Sequence, residues 1–285
     1  MRFIIIGGGC YGIYHSGQLY KSILKGKLPA DSRLIIVDRN EHPPALDAHG
    51  DKPNFDFVQS DWQAYLRNFF SDPTQYDPTI DGDSVQIVPA PFAPHLYFDW
   101  LQFASKEQLH ELGRDDILLE RAPFDEQMHL PYEYTDPSNG NHFMSRAGWT
   151  CPHSCIEPRK CPAIKDTRDW DLYDDIQAVV VGQSVKPSVT AASALQAANL
   201  PNGAPVSLLA PLKYDGAELF TCHHFSHGIG TIPARRLFEA RAHVVETALQ
   251  LNATRPVAKF AVGTISHCHG VVATLKISFN PSLDH

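Results

Sequence analysis

The chain opens on an unbroken apolar run, Phe3 to Ile6, that ends at glycine. From Tyr11 to about Lys25 the apolar residues Ile13, Leu19, Ile23 and Leu24 recur at helical spacing, and Leu34 to Val37 is a second continuous apolar run, closed by Asp38. Runs of this length without alternation suit parallel strands buried on both faces. The rhythm continues with a strand at Phe55 to Val58, a helix over about Asp61 to Phe70, and a strand at Val85 to Val88. A helix over about Pro94 to Ser105 and a strand at Ile117 to Leu119 complete the series. The pattern predicts an α/β fold whose residues 1–122 form a doubly wound parallel sheet.

After Ala122 the periodicity breaks. Pro123 to Pro162 holds six prolines and two glycines and reads as a structured loop, with three cysteines at its end. Residues 164–285 form a smaller, Cys- and His-rich α+β part, with strands expected at Ala178 to Val181, Val206 to Leu209, Phe260 to Val262 and Val271 to Ile277. Helices are expected at about Ser188 to Asn199 and Pro233 to Leu251, the second opened by a proline suited to a first helical turn.

Composition narrows the function classes. The 43% of hydrophobic residues supply a core, and 24 Lys and Arg against 32 Asp and Glu leave a net charge of −8. An excess of acid argues against a nucleic-acid surface, because phosphate backbones are held by Lys and Arg. No apolar run approaches the ~20 residues of a membrane span, so no direct membrane insertion is expected. Six cysteines in 285 residues are too few for a disulfide scaffold, which points to a reducing, cytoplasmic setting and to metal or redox chemistry.

Gly7-Gly8-Gly9-Cys10-Tyr11-Gly12 fits G-x-G-x-x-G between the first strand and the first helix, the context that makes a Rossmann-like dinucleotide site. The first glycine makes the tight turn, the second lets backbone approach a pyrophosphate, and the third lets helix and strand pack closely. The helix start then offers N–H groups and partial positive charge to the phosphates. Asp38 ends the second strand 26 residues after Gly12, where an acid accepts hydrogen bonds from an adenosine ribose and favours NAD over NADP, while Arg39 could tolerate a 2′-phosphate. Cys10 reads either as a small residue packed beneath the helix or as a thiol of lowered pKa.

Cys151, Cys155 and Cys161 fall within eleven residues, stiffened by prolines, and His267-Cys268-His269 supplies a fourth sulfur far along the chain. Four thiolates would complete a tetrahedral zinc site or hold an iron–sulfur cluster, and His153 or His269 could replace a missing ligand. The spacing C-x3-C-x5-C leaves zinc and a cluster both open. Cys222-His223-His224 with His227 is a second concentration of donors, placed in a loop by the glycines after His227.

The segments Phe3 to Gly12 and Leu34 to Asp38 resemble the nucleotide-binding domain of the TrkA type, found in regulatory subunits of bacterial potassium uptake. Taken whole, the chain resembles a group of bacterial proteins labelled NAD-binding or potassium transporter. The shared pieces are Ile87 to Ala90, His95 to Leu101, Leu130-Pro131, Cys151 to Pro162, Ser226 to Ile232 and Thr264 to Val271, with Ser266 where that group's closing motif carries another cysteine. The glycine loop and the cysteine clusters together lead to the expectation of a cytosolic NAD(H)-binding protein with a Cys-ligated metal or cluster, and of an oxidoreductase if the two exchange electrons. The alternative is a nucleotide-sensing regulatory module with a structural zinc. A dinucleotide is the expected partner of either, and a regulatory module would add another protein or a second copy of the chain.

Overall fold

The computed structural model describes residues 1–89, 95–149, 151, 155–183, 214–226 and 229–283. The fold is α/β, and the chain groups into two compact units, Met1–Ala104 with Cys222–Ala242 and Ser105–Thr221 with His243–His285. The expected contiguous division at 122 and 163 differs from this grouping, in which the chain crosses between units three times.

In the first unit β1 (Arg2–Ile6), β2 (Arg33–Asp38), β3 (Phe55–Gln59) and β4 (Val85–Val88) run parallel in the order β3-β2-β1-β4. β1 is central, with Ile4 opposite both Ile35 and Ile87. Phe3 to Ile6 are all buried, which is why this strand is apolar without alternation. The helices α1 (Cys10–Leu24), α2 (Pro44–His49) and α3 (Trp62–Ser71) connect these strands, and α4 (Leu96–Glu111) follows β4. Leu19 and Ile23 of α1 and Ala45 of α2 pack with Phe3, Ile5, Leu34, Ile36 and Val88 in one core.

The strand at Ile117 to Leu119 does not complete this sheet. It is β5 (Ile117–Ala122), and it pairs antiparallel with a strand of the second unit. The sheet is extended instead by β11 (His223–Ser226) and β12 (Ile229–Pro233), an antiparallel hairpin whose β12 runs antiparallel to β4. Of the histidines expected in a loop, His223 and His224 therefore lie in a strand. Pro233 closes that strand, and the helix behind it, α6 (Arg235–Leu249), starts two residues later.

The second unit is built on β10 (Gly216–Thr221), β13 (Val257–Ile265), β14 (His269–Phe279), β7 (His142–Ser145) and β6 (Tyr132–Thr135), in that order, with β5 also on β14. β10 and β13 are parallel and the other pairs antiparallel. The stretch 123–163 thus contributes a hairpin, β6 and β7, rather than a loop alone, and ends in β8 (Lys160–Cys161), which pairs with β9 (Asp166–Thr167). The strand expected at Ala178 to Val181 is the end of a helix, α5 (Leu172–Val180). Its residues Leu172, Ile176, Val179 and Val180 share one face, packed on Met144, Leu219, Ala261 and Val272, and the four-residue apolar run read alone hid that period. Expectations for Val206 to Leu209 and Ser188 to Asn199 fall outside the described residues.

Candidate functional site

Each unit carries one chemistry-bearing cluster foreseen in the sequence. In the first, the chain leaves β1 at Gly7 with φ 85°, a left-handed turn that glycine makes without strain. Gly7 N–H donates to Val37 O (2.9 Å), tying the turn to β2. A side chain at Gly12 would strike the Gly7 carbonyl, which is the close helix-to-strand approach expected of the third glycine. The start of α1 is open. Gly9 caps it without a side-chain hydrogen bond, the first turn holds no acid, and among the described residues a methyl group built on Gly9 would meet nothing within 4 Å. Gly9 and Cys10 are exposed and Tyr11 is half-buried, so Cys10 does not pack beneath the helix.

Asp38 stands beside this loop with both oxygens engaged. Gly8 N–H donates to Oδ2 (2.6 Å) and Asn40 N–H to Oδ1 (2.9 Å), and the residue is only 8% exposed. Pro43 crowds Gly8, leaving 2.5 Å between its Cβ and a methyl group built there, and Ala45 N–H donates to Gly8 O (2.8 Å). Arg39 points to solvent, bonded to Asp61 (2.9 Å) and lying over the Trp62 ring.

In the second unit Cys151 lies near each of the other three expected thiols. Cys151 packs against Cys268, Trp170 and Ala147. Its thiol is pushed up, first by burial and then by the nearby Cys155 and Cys161. Cys268 is pushed up to about 12 by burial and by the charge of Glu157, with Cys151 adding to the rise and Trp170 and Arg168 opposing it. Cys161 is placed by the β8–β9 hairpin, whose turn passes through Lys165 at φ 57°.

Glu157 is the residue the sequence reading missed. It is buried at 8% exposure, with φ 46°, between the second and third cysteines. Its carboxylate accepts Ser266 Oγ–H (2.6 Å) and His267 N–H (3.0 Å), and His269 Nε2 lies 4.0 Å from it. One carboxylate thereby ties the cysteine loop to the turn between β13 and β14. Arg168 Nη1 donates to Glu157 O (2.7 Å), and His267 Nδ1 meets Asp171 Oδ2 at 2.6 Å. The only signal in the sequence was an acid inside a cysteine-proline run. The donor set suits a thiophilic ion, yet among the described residues no group of three or more His, Cys, Asp or Glu side chains is arranged to hold a metal. His153 lies outside the described residues.

Cys222 is half-buried in the first unit, His223 and His224 are exposed on β11, and His227 is outside the described residues. A cavity of about 400 Å³ in the second unit is lined by Arg146, Asp169, Trp170, Asp171, Asp174 and Asp175 among others. Arg146 is committed, bonding both Asp175 oxygens at 2.8 and 2.6 Å. Among the described residues no helix is long and apolar enough to cross a membrane.

Residues 98–198 and 205–278, more than half of the chain, match a family model described as "AF_1314_C: Uncharacterized protein, C-terminal domain". The match leaves out the glycine loop and takes in all four clustered thiols. No curated protein and no solved structure matches the chain.

Proposed function

The chain belongs to the AF_1314_C family, and we propose that it couples to that family domain a phosphate-binding nucleotide site of its own, at Gly7 to Gly12, for NAD(H). The observation that carries this reading is the start of α1. It lies at the end of the central parallel strand, with a glycine cap that leaves the first turn open, and such a turn presents N–H groups and positive dipole to an anion.

The test is calorimetric titration of the full chain with NAD and NADH, repeated on Gly9→Glu. Binding to the native chain and its loss in the variant are the expected result. Heat that survives the substitution would place the nucleotide elsewhere.

For the second unit the proposal is a thiol centre holding zinc or an iron–sulfur cluster through Cys151, Cys155, Cys161 and Cys268. Bound there, the group would supply a clip joining two distant stretches of chain. Glu157 supports this, because it already draws the turn around Cys268 to the loop that carries the other three thiols. Anaerobic purification with elemental analysis and absorbance spectra separates the functional classes. Iron and colour favour an oxidoreductase of the cytoplasm, and one colourless zinc favours a nucleotide-sensing module of the potassium-uptake type.

A further inference from the structure

Doubly wound dinucleotide folds join two mononucleotide-binding halves, the second continuing the sheet in parallel beyond the fourth strand. In the first unit the strand beyond β4 is β12, antiparallel to it with Ile232 opposite Ile87, and beyond that β11 is again antiparallel to its neighbour. Among the described residues, this unit therefore holds the half with the glycine loop and, past β4, a hairpin where the other half would stand. The chain that leaves β4 through α4 goes on to β5, in the other sheet.

Asp38 gives an independent observation. A ribose reader needs a carboxylate presented to ligand, and here both oxygens accept backbone N–H groups while the residue is almost wholly buried. The chain just beyond it, Pro43 to Ala45, lies on Gly8 and takes its carbonyl. That flank of the loop is covered by protein, and among the described residues nothing covers the Gly9 flank.

We infer that the glycine loop is a single-nucleotide site. It holds a nucleoside mono- or diphosphate, or the ADP half of a larger nucleotide, by phosphate at Gly9 and the first turn of α1. The second nucleoside of a dinucleotide adds no affinity, and the 2′ position of the ribose goes unread. Asp38 is a positioning residue that shapes the turn. This rests on the loop being the phosphate site proposed above.

The experiment is titration of the full native chain with ADP, NAD and NADP under one set of conditions, with Gly9→Glu as the control on the loop. The expected result is three affinities within about fivefold of one another, all lost in Gly9→Glu. In Asp38→Asn, which keeps one acceptor for the turn, the NAD to NADP ratio stays that of the native chain. NAD binding more than about fivefold tighter than ADP overturns the single-nucleotide site, and NADP binding more than about fivefold weaker than NAD restores Asp38 as ribose reader. Either result leaves the phosphate loop standing. Absence of binding by all three nucleotides, or binding that survives Gly9→Glu, removes the loop reading and this inference together.

Discussion

Glu157 shows how much one side chain can organise. A buried carboxylate that accepts two hydrogen bonds from the β13–β14 turn leaves Ser266 Oγ–H and His267 N–H without that partner when it is removed. Glu157→Ala should therefore cost about 1–3 kcal/mol in urea unfolding, and Glu157→Gln, which keeps one acceptor, less. The thiols beside it should behave unequally. In metal-free protein at pH 8, iodoacetamide should label exposed Cys10 and leave Cys268 unmodified, because burial and Glu157 hold Cys268 protonated. Its folded pKa is raised, so the stability it contributes is present below the ordinary thiol value of 9.0 and is lost as pH rises toward about 12. Alkaline unfolding curves of the native protein and Cys268→Ala should diverge in that window, and parallel curves would remove the effect. Cys151, Cys155 and Cys161 were legible as a cluster because three thiols fall within eleven residues. Glu157 was not, since its role depends on a left-handed backbone and on partners more than 100 residues away. Asp38 was found in its expected place, but its bonding to Gly8 and Asn40 was invisible to spacing.

Helix ends carry a second group of local signals. Asp61 caps α3, accepting N–H from Gln63 (3.0 Å) and Ala64 (3.1 Å), and the Ala64 bond leads the causes that hold its carboxyl below the usual range. Asp61→Ala should cost about 1 kcal/mol in thermal or urea unfolding. A depressed folded pKa contributes stability above the unfolded value near 3.8 that is lost as pH falls through the folded one. Asp61→Asn should keep the cap and lose that acid dependence, which melts between pH 2 and 5 would reveal. Asp171 caps α5 through Tyr173 N–H and also holds His267, so the cap joins the helix to the thiol turn. This start signal was present in the sequence, yet the apolar run Ala178 to Val181 outweighed it. A short apolar run cannot be assigned by periodicity alone, and here the face shared with Leu172 and Ile176 decides for helix.

Across the whole molecule, the chain returns to the first unit after leaving it. Residues 222–242 bring β11, β12 and Phe238, whose ring lies 5.5 Å from Phe70, 5.2 Å from Tyr76 and 5.4 Å from Trp100. A fragment ending at residue 122 would lose the strand that pairs with β4 and the ring that completes this aromatic cluster. It would also carry β5 without β14. The fragment 1–122 should therefore fail to fold cooperatively, seen as absence of a sigmoidal melt by circular dichroism and a collapsed amide spectrum. A dispersed spectrum with a sharp melt would restore the contiguous boundary. Joining residues 1–104 to 222–242 by a flexible linker should recover structure that the longer contiguous piece lacks.

The alternating apolar runs determined the α/β class, the strands β1 to β4 and the glycine turn after β1, because each depends on burial and backbone geometry within a few residues. The clustering of three cysteines was equally local. Tertiary structure alone decided where β5 pairs, which hairpin flanks β4, and what Asp38 bonds. A three-residue apolar run carries no address for its neighbour, so Ile117 to Leu119 read as well in one sheet as in the other. Glu157 belongs to the same class: the carboxylate is in the sequence, and its place beside Cys151 and Cys268 exists only once β13 and β14 have folded back toward the cysteine loop.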